Sequence, residues 1–354
     1  MNINIAVLDG DGIGPEVTAE SIKILQAIAA KYNHQFIFTN ALIGAVAIDA
    51  TGHPLPQKTI DICLANNAIL FGAIGHPKYD NNPTATVRPE QGLLGLRKAL
   101  QLFANIRPIN TYEALHNLSP LKTDNIKNVN FIIYRELTGG IYFGNKTLSA
   151  NGLTATDECT YTAFEIERVT HLAFKAAQQR RKKLTLIDKA NVLETSRLWR
   201  KIVQQIAPTY SDVIVDFLFV DNAAMQIILN PKQFDVVLTE NMFGDIISDE
   251  ASVISGSLGL LPSSSIGNKT ALFEPIHGSY PQATGLNIAN PIGSILSAAM
   301  LLQHFNLHTE ATQIQNAVTW CLNNKIVTKD IDSLNFYSTS NIGDTIVNFI
   351  NNNS

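Results

Sequence analysis

The chain has 354 residues, 45% apolar and 16% charged, so it can bury a sizeable core and is long enough for two domains, and a disordered protein is excluded. A formal net charge of -4 gives no general attraction for nucleic acid or an anionic membrane, so an anionic ligand must be held by local positive charges. Cys63, Cys159 and Cys321 are far apart and lack a Cys-x-x-Cys spacing, which excludes a disulfide framework or zinc ribbon, and the start of the chain has neither the basic stretch nor the cleavage site of a signal peptide, so a cytoplasmic protein is expected.

In chain order, residues 3–8 are a predicted strand, followed by the turn Asp9-Gly-Asp-Gly-Ile-Gly-Pro-Glu16 and a helix through about Ala30. The turn lacks the Gly-x-Gly-x-x-Gly spacing of a dinucleotide fingerprint, and its acids would repel a pyrophosphate. A Rossmann fold is therefore rejected, and the turn is expected to wall some other ligand site. Predicted strands at 35–39 and 68–71 bracket a polar helix and turn region, and Gly72-Ala-Ile-Gly75 leads into a loop through Pro89. A helix beginning near Arg88 carries Leu93, Leu94, Leu96, Arg97 and Leu100, and leucines at such a helix start read as core.

Arg97, Arg107 and Arg135 recur at predicted helix or strand ends, where planar guanidinium forks suit either solvent or a dicarboxylate. Tyr142 lies in a glycine-flanked segment, as a core residue or a functional phenol. A long amphipathic helix is predicted from Glu158 to Gln179, with the basic run at 180–183 opposing its dipole. The strand at 184–188 delivers Lys189, which is either a surface cation or a proton-transfer group with a lowered pKa.

The run 234–239 reads as a buried strand, and Asp245 and Asp249 follow it four residues apart. On a helix that spacing stacks the two carboxylates on one face, while Ile246, Ile247 and Ala251 can turn toward a core. The pair is either a solvated face or an all-oxygen site suited to Mg²⁺ or Mn²⁺, which Asp221, after the apolar stretch 213–220, would complete. Residues 256–265 and 273–285 are predicted loops, 292–302 a buried or subunit-interface helix, and 351–354 a frayed tail.

Six segments together resemble the isocitrate/isopropylmalate dehydrogenase family, the metal-dependent decarboxylating dehydrogenases. They are Arg88-Pro-Glu-Gln-Gly-Leu-Leu94, Arg135-Glu-Leu-Thr-Gly-Gly-Ile-Tyr-Phe-Gly144, Lys189-Ala-Asn-Val-Leu-Glu194, Asp221-Asn-Ala-Ala-Met-Gln226, Asn241-Met-Phe-Gly-Asp-Ile-Ile-Ser-Asp-Glu250 and Glu274-Pro-Ile-His-Gly-Ser279. The resemblance spans nearly the whole chain and is strongest to the members that oxidise 3-isopropylmalate in leucine biosynthesis. It implies an α/β fold of two domains with mixed sheets flanked by helices, one domain from residues 1–102 plus 256–354 and the other from 103–255. It also implies a homodimer, with each active site combining Arg97, Arg107, Arg135, Tyr142, Asp245 and Asp249 of one subunit with Lys189 and Asp221 of the other.

The resemblance further implies Mg²⁺ or Mn²⁺ on Asp221, Asp245 and Asp249, with Asp221 also facing the substrate. Lys189 would take the proton of the 2-hydroxyl, the arginines would hold the carboxylates, and Tyr142 would protonate C3 after decarboxylation. Leu93, Leu94 and Val192 would form the apolar pocket for an isopropyl group. NAD would meet Glu90 at its nicotinamide ribose and Ile13, Gly75, His277, Gly278, Ser279, Tyr280, Pro281, Gln282 and Asn290 elsewhere. Gln282 stands where many relatives carry an acid, which predicts a weaker preference for NAD over NADP. The alternatives are a sister enzyme acting on isocitrate, homoisocitrate or tartrate, and a non-catalytic relative. Isocitrate would place an unpaired carboxylate against Leu93 and Leu94, at a cost of several kcal/mol.

Overall fold

The structure, a computed structural model, describes residues 1–81 and 85–353. The residues divide into two compact units, Met1–Leu102 with Tyr112–Leu118 and Gly256–Ser354, and Phe103–Thr111 with Ser119–Ser255. Tyr112–Leu118 joins the terminal unit although it lies within the middle span, because Leu115 is buried in that unit's core.

The first unit begins with β1 (Asn2–Gly10), α1 (Gly14–Tyr32), β2 (Gln35–Asn40), α2 (Ala45–Thr51), α3 (Gln57–Ala65), β3 (Ala68–Ala73), the single turn α4 (Pro77–Asp80) and α5 (Pro89–Ala99). Part of the predicted loop before α5, residues 82–84, lies outside the described residues. Alternation along β1 sends Ile3, Ile5 and Val7 into one core with Ile24, Leu25 and Ile28 of α1, so period-two and helical patterns converge on the same apolar layer.

The second unit contains β4 (Ala104–Asn110), the single turn α6 (Thr123–Ile126), β5 (Asn130–Glu136), β6 (Lys146–Leu148), β7 (Ala155–Asp157), α7 (Ala163–Gln178), β8 (Lys183–Asp188), α8 (Glu194–Ile206), β9 (Ile214–Phe219), α9 (Val220–Leu229), β10 (Val236–Thr239) and α10 (Asn241–Ser252). Its sheet runs β4-β5-β10-β8-β9, antiparallel between β4 and β5 and parallel elsewhere, while β6 and β7 form a separate two-stranded ribbon. The helix predicted from Glu158 starts later, at Ala163, because Thr162 and Glu165 form a reciprocal capping box. The basic run after α7 is tied down: Arg180 Nε donates to the buried Asp235 at 2.8 Å, as does the Arg181 backbone N–H.

The chain then returns to the first unit with β11 (Pro262–Ile266), β12 (Ala271–Pro275), α11 (Ile292–His304), α12 (His308–Asn323) and α13 (Thr339–Asn352). That unit's sheet runs β2-β1-β3-β12-β11, parallel except for the β12/β11 pair. Both predicted loops of this region therefore contain strands. Ser263, Ser264 and Ser265 have weak strand propensity but are buried in an antiparallel ladder, and pairing overrides propensity. The expected frayed tail is helical through Asn352, and Asn353 O accepts from Gln313 Nε2 at 2.8 Å. α11 is buried along most of its length, on Ile295, Ala298, Ala299, Leu301 and Leu302.

Candidate active site

In the second unit, β4 and β5 pair with Asn105 opposite Arg135, so Arg107, two residues on, lies on the same sheet face. Arg107 is thus in mid-strand and not at a strand end as the sequence suggested; its backbone is paired, and only its guanidinium leaves the sheet. It donates to Asn105 Oδ1 at 2.8 Å, Ser248 Oγ at 2.7 Å and Asp249 Oδ1 at 2.8 Å, and it approaches Asp245 Oδ1 at 3.7 Å. Arg135 is 4% exposed and pairs through Nη1 with Asp245 Oδ1.

α10 starts at the end of β10, where the Glu240 side chain accepts from Phe243 N and caps the helix. Its apolar face buries Ile247 and Ala251, whereas Ile246, expected to reach a core, is 58% exposed, because it lies about 100° round the helix from Ile247. Asp245 and Asp249 share the face that meets the arginines. Tyr142 donates its hydroxyl to Asp245 Oδ2 at 2.8 Å and has the Arg135 guanidinium 5.7 Å from its ring centroid. It is not a core residue. Burial and the Asp245 bond both push the phenol's pKa up, so it stays protonated as a proton donor.

Lys189 follows β8 and pairs with Asp221 on the first turn of α9 at 2.8 Å. This bond holds the Asp221 carboxyl below its usual range. Among the described residues, no three acids, histidines or cysteines of one chain come together as a metal site, so Asp221 does not join Asp245 and Asp249 within the chain. The donors themselves fit a hard cation: Asp245 and Asp249 supply only carboxylate oxygens, one helical turn apart, with Asp249 largely exposed.

In the first unit, Arg97 donates to Glu274 Oε1 at 3.1 Å. The core reading of the leucines holds for Leu96 on α5 and for Leu100, which caps it, but Leu94 is 46% exposed and Leu93 only half-buried; in the second unit Val192 is 60% exposed. These three apolar side chains are free of the cores.

The expected cofactor residues also group in the first unit. Ile13 N donates to Ser279 O at 2.9 Å, and Gly75, at φ +116°, lies so near Glu90 and Ser279 that an added Cβ would sit 3.1 Å from Glu90 Oε1 and 3.4 Å from Ser279 Oγ. A cavity of about 600 Å³ is lined by Ile13, His277, Gly278, Tyr280 and Asn290. Pro281 and Gln282 form the short turn beside it. His277 donates from Nδ1 to Gly278 O at 3.0 Å, which leaves Nε2 as an acceptor, and that atom is buried with no partner among the described residues. Burial lowers its pKa, so the ring is neutral and ready to accept a hydrogen bond from a ligand N–H, such as the amino group of adenine. The acidic turn before α1 serves the backbone around it, since Asp11 accepts from the N–H groups of Ala45, Val46 and Gly75.

Sequence reading missed three contributors. Lys329 and Asp330 line the cavity from a remote segment whose composition carries no motif. Asn241, which binds Arg135, was marked by its spacing alone, four residues before Asp245 and eight before Asp249 on one helix face.

The isocitrate/isopropylmalate dehydrogenase family profile matches residues 4–346. The chain is 50% identical over 352 residues to the 3-isopropylmalate dehydrogenase of Bacteroides fragilis strain YCH46, covering 99% of each chain, and 49% identical over 360 residues to that of Heyndrickxia coagulans, covering 100% of this chain and 98% of the other. The crystal structure of isocitrate dehydrogenase from Methylococcus capsulatus superposes with a TM-score of 0.87 at 32% identity, covering 98% of this chain and 99% of that one. With its paired arginines, helix-borne acids and mixed sheets, the chain belongs to the isocitrate/isopropylmalate dehydrogenase family.

Proposed function

We propose that the chain is an NAD-dependent 3-isopropylmalate dehydrogenase, which oxidises C2 of (2R,3S)-3-isopropylmalate and loses the carboxyl group on C3 as CO2 to leave 4-methyl-2-oxopentanoate in leucine biosynthesis. The observation that carries this reading is the 50% identity, end to end, with a 3-isopropylmalate dehydrogenase, against 32% with the isocitrate enzyme of like fold. The exposed Leu94 agrees, since it offers an isopropyl group an apolar contact and the carboxymethyl group that isocitrate has in its place no partner.

Arg97, Arg107 and Arg135 grip the substrate's carboxylates, as planar forks that remain charged throughout. Lys189, as a neutral amine or through a water, takes the proton of the 2-hydroxyl, and Asp221, 2.8 Å away, stabilises its ammonium form. Tyr142, kept protonated by its surroundings, delivers a proton to C3 after the carboxylate has left. Asp245 and Asp249, with Asp221 of the partner subunit, would hold Mg²⁺ or Mn²⁺, which would supply Lewis acidity at the substrate's oxygens. Ile13, Gly75, Glu90, the loop from His277 to Gln282 and Asn290 would bind NAD, which would supply the hydride acceptor.

The partner is a second copy of the chain. Met225, Ile228 and Leu229 of α9 are 55%, 43% and 62% exposed on the helix that carries Asp221, and a homodimer would bury them. Among the described residues no helix is long and apolar enough to cross a membrane. Following NADH absorbance with 3-isopropylmalate or isocitrate, Mg²⁺ and NAD tests the reading; equal kcat/KM for the two acids would overturn it.

A further inference from the structure

Asn241 opens α10 and is 1% exposed, yet its amide joins two of the groups assigned to the chemistry. Its Oδ1 accepts from Arg135 Nε at 3.0 Å and Nη2 at 2.8 Å, and its Nδ2 donates to Gly139 O at 3.0 Å. Gly139 precedes the turn that carries Tyr142. One amide therefore fixes the guanidinium that pairs with one oxygen of Asp245 and the backbone that aims a phenol at the other.

The backbone of Asn241 is in turn held from behind. Tyr161 accepts from Asn241 N at 2.9 Å and donates to Glu240 Oε2 at 2.8 Å. Gly140, at φ +74°, packs so closely on this tyrosine that an added Cβ would lie 2.2 Å from its hydroxyl oxygen. The neutrality of the amide also matters. A carboxylate here would neutralise buried Arg135, whereas an amide oxygen satisfies two of its N–H groups and leaves its charge for an anion.

We propose that Asn241 is a positioning residue that sets Arg135 and Tyr142 in register with Asp245, coupling the grip on the substrate to the geometry of protonation. This rests on the reading of Arg135 as a carboxylate ligand and Tyr142 as the acid. Asn241→Ala in the full-length protein should lower kcat about 100-fold, the scale of an ångström-sized misplacement, and raise KM for 3-isopropylmalate about 10-fold while KM for NAD stays within about twofold. In a Tyr142→Phe background the same change should lower kcat by less than about threefold, because the group being positioned is gone. Losses that simply multiply would overturn the inference.

Asn241→Asp conserves volume and both bonds from Arg135, so it provides a folded variant if the alanine does not fold. It should raise KM for 3-isopropylmalate more than the alanine does, by cancelling the charge of Arg135, and should lose kcat because the donor to Gly139 O is gone. A folded Asn241→Asp protein with wild-type kcat and KM would also overturn the inference. If Arg135→Lys and Tyr142→Phe themselves leave kcat and KM unchanged, the functional reading fails instead.

Discussion

The charged cluster on β4, β5 and α10 and the cavity between Ile13 and Asn290 are built by opposite means. In the cluster, regular elements present long charged side chains that restrain one another: Arg107, Arg135 and Tyr142 all converge on Asp245. In the cavity, loop backbone and mainly neutral side chains make the walls, with Lys329 and Asp330 the two charged lining residues, and His277 Nε2 is a buried acceptor without a partner among the described residues. A lattice of mutually paired charges cannot lose a member without leaving another unpaired, so its residues are constrained in kind. A loop pocket keeps its shape when a side chain changes. That difference allows a neutral Gln282 in the short turn beside the cavity, where many relatives carry an acid, while Arg107, Arg135 and Asp245 of the cluster stay mutually paired.

The largest effect should follow from breaking the charged region. Lys189→Ala and Tyr142→Phe should each lower kcat by roughly a thousand-fold, in the range of lost general acid–base catalysis. If Lys189 serves the site of the partner subunit, mixing and reassembling the two inactive variants should restore part of the activity, because some heterodimers then hold one intact site. No recovery in a mixture shown to contain heterodimers would place both residues in the same site of one chain.

A smaller effect belongs to the apolar contact. The wild type should favour 3-isopropylmalate over isocitrate by at least about a hundred-fold in kcat/KM, and Leu94→Arg, which offers the carboxymethyl group of isocitrate a cation, should narrow that ratio. An unchanged ratio in the variant would remove Leu94 from the specificity pocket.

The smallest effect should come from the loop pocket. At a ribose hydroxyl a neutral Gln282 would bond more weakly than a carboxylate and would not repel a 2′-phosphate, so Gln282→Asp should raise the NAD over NADP ratio of kcat/KM by about 3-fold to 10-fold. The loop itself has no cation, but Lys329 lines the same cavity from another segment. Lys329→Gln should therefore lower activity with NADP more than with NAD. A ratio that neither substitution moves would assign cofactor choice to other residues, and a loss of kcat as large as that of Lys189→Ala would erase the contrast between the two regions.

Local chemistry made much of this legible in the sequence. The four-residue spacing of Asp245 and Asp249, the strand before them and the failed dinucleotide fingerprint at Gly10 to Gly14 each depend on neighbours a few positions apart, and helix and strand periodicity converts such spacings directly into faces. The start of α7 shows the limit of that reading: the expectation from Glu158 passed over Thr162 and Glu165, whose capping box places the helix boundary at Ala163.

Tertiary structure alone decided the rest. Ser263 to Ser265 became a strand because β12 offered a ladder to buried backbone, a contact that serine propensity does not encode. Arg107 reached Asp249 because β4 and β5 pair in one register, and a shift by a single residue would have turned it to the other face. The separation of Leu94 from Leu96, one exposed and one buried, follows from which side of α5 meets the core. Lys329 came to the cavity, and Asn241 to Arg135, through contacts between segments far apart in the chain, and such contacts are fixed only when the whole core closes around them.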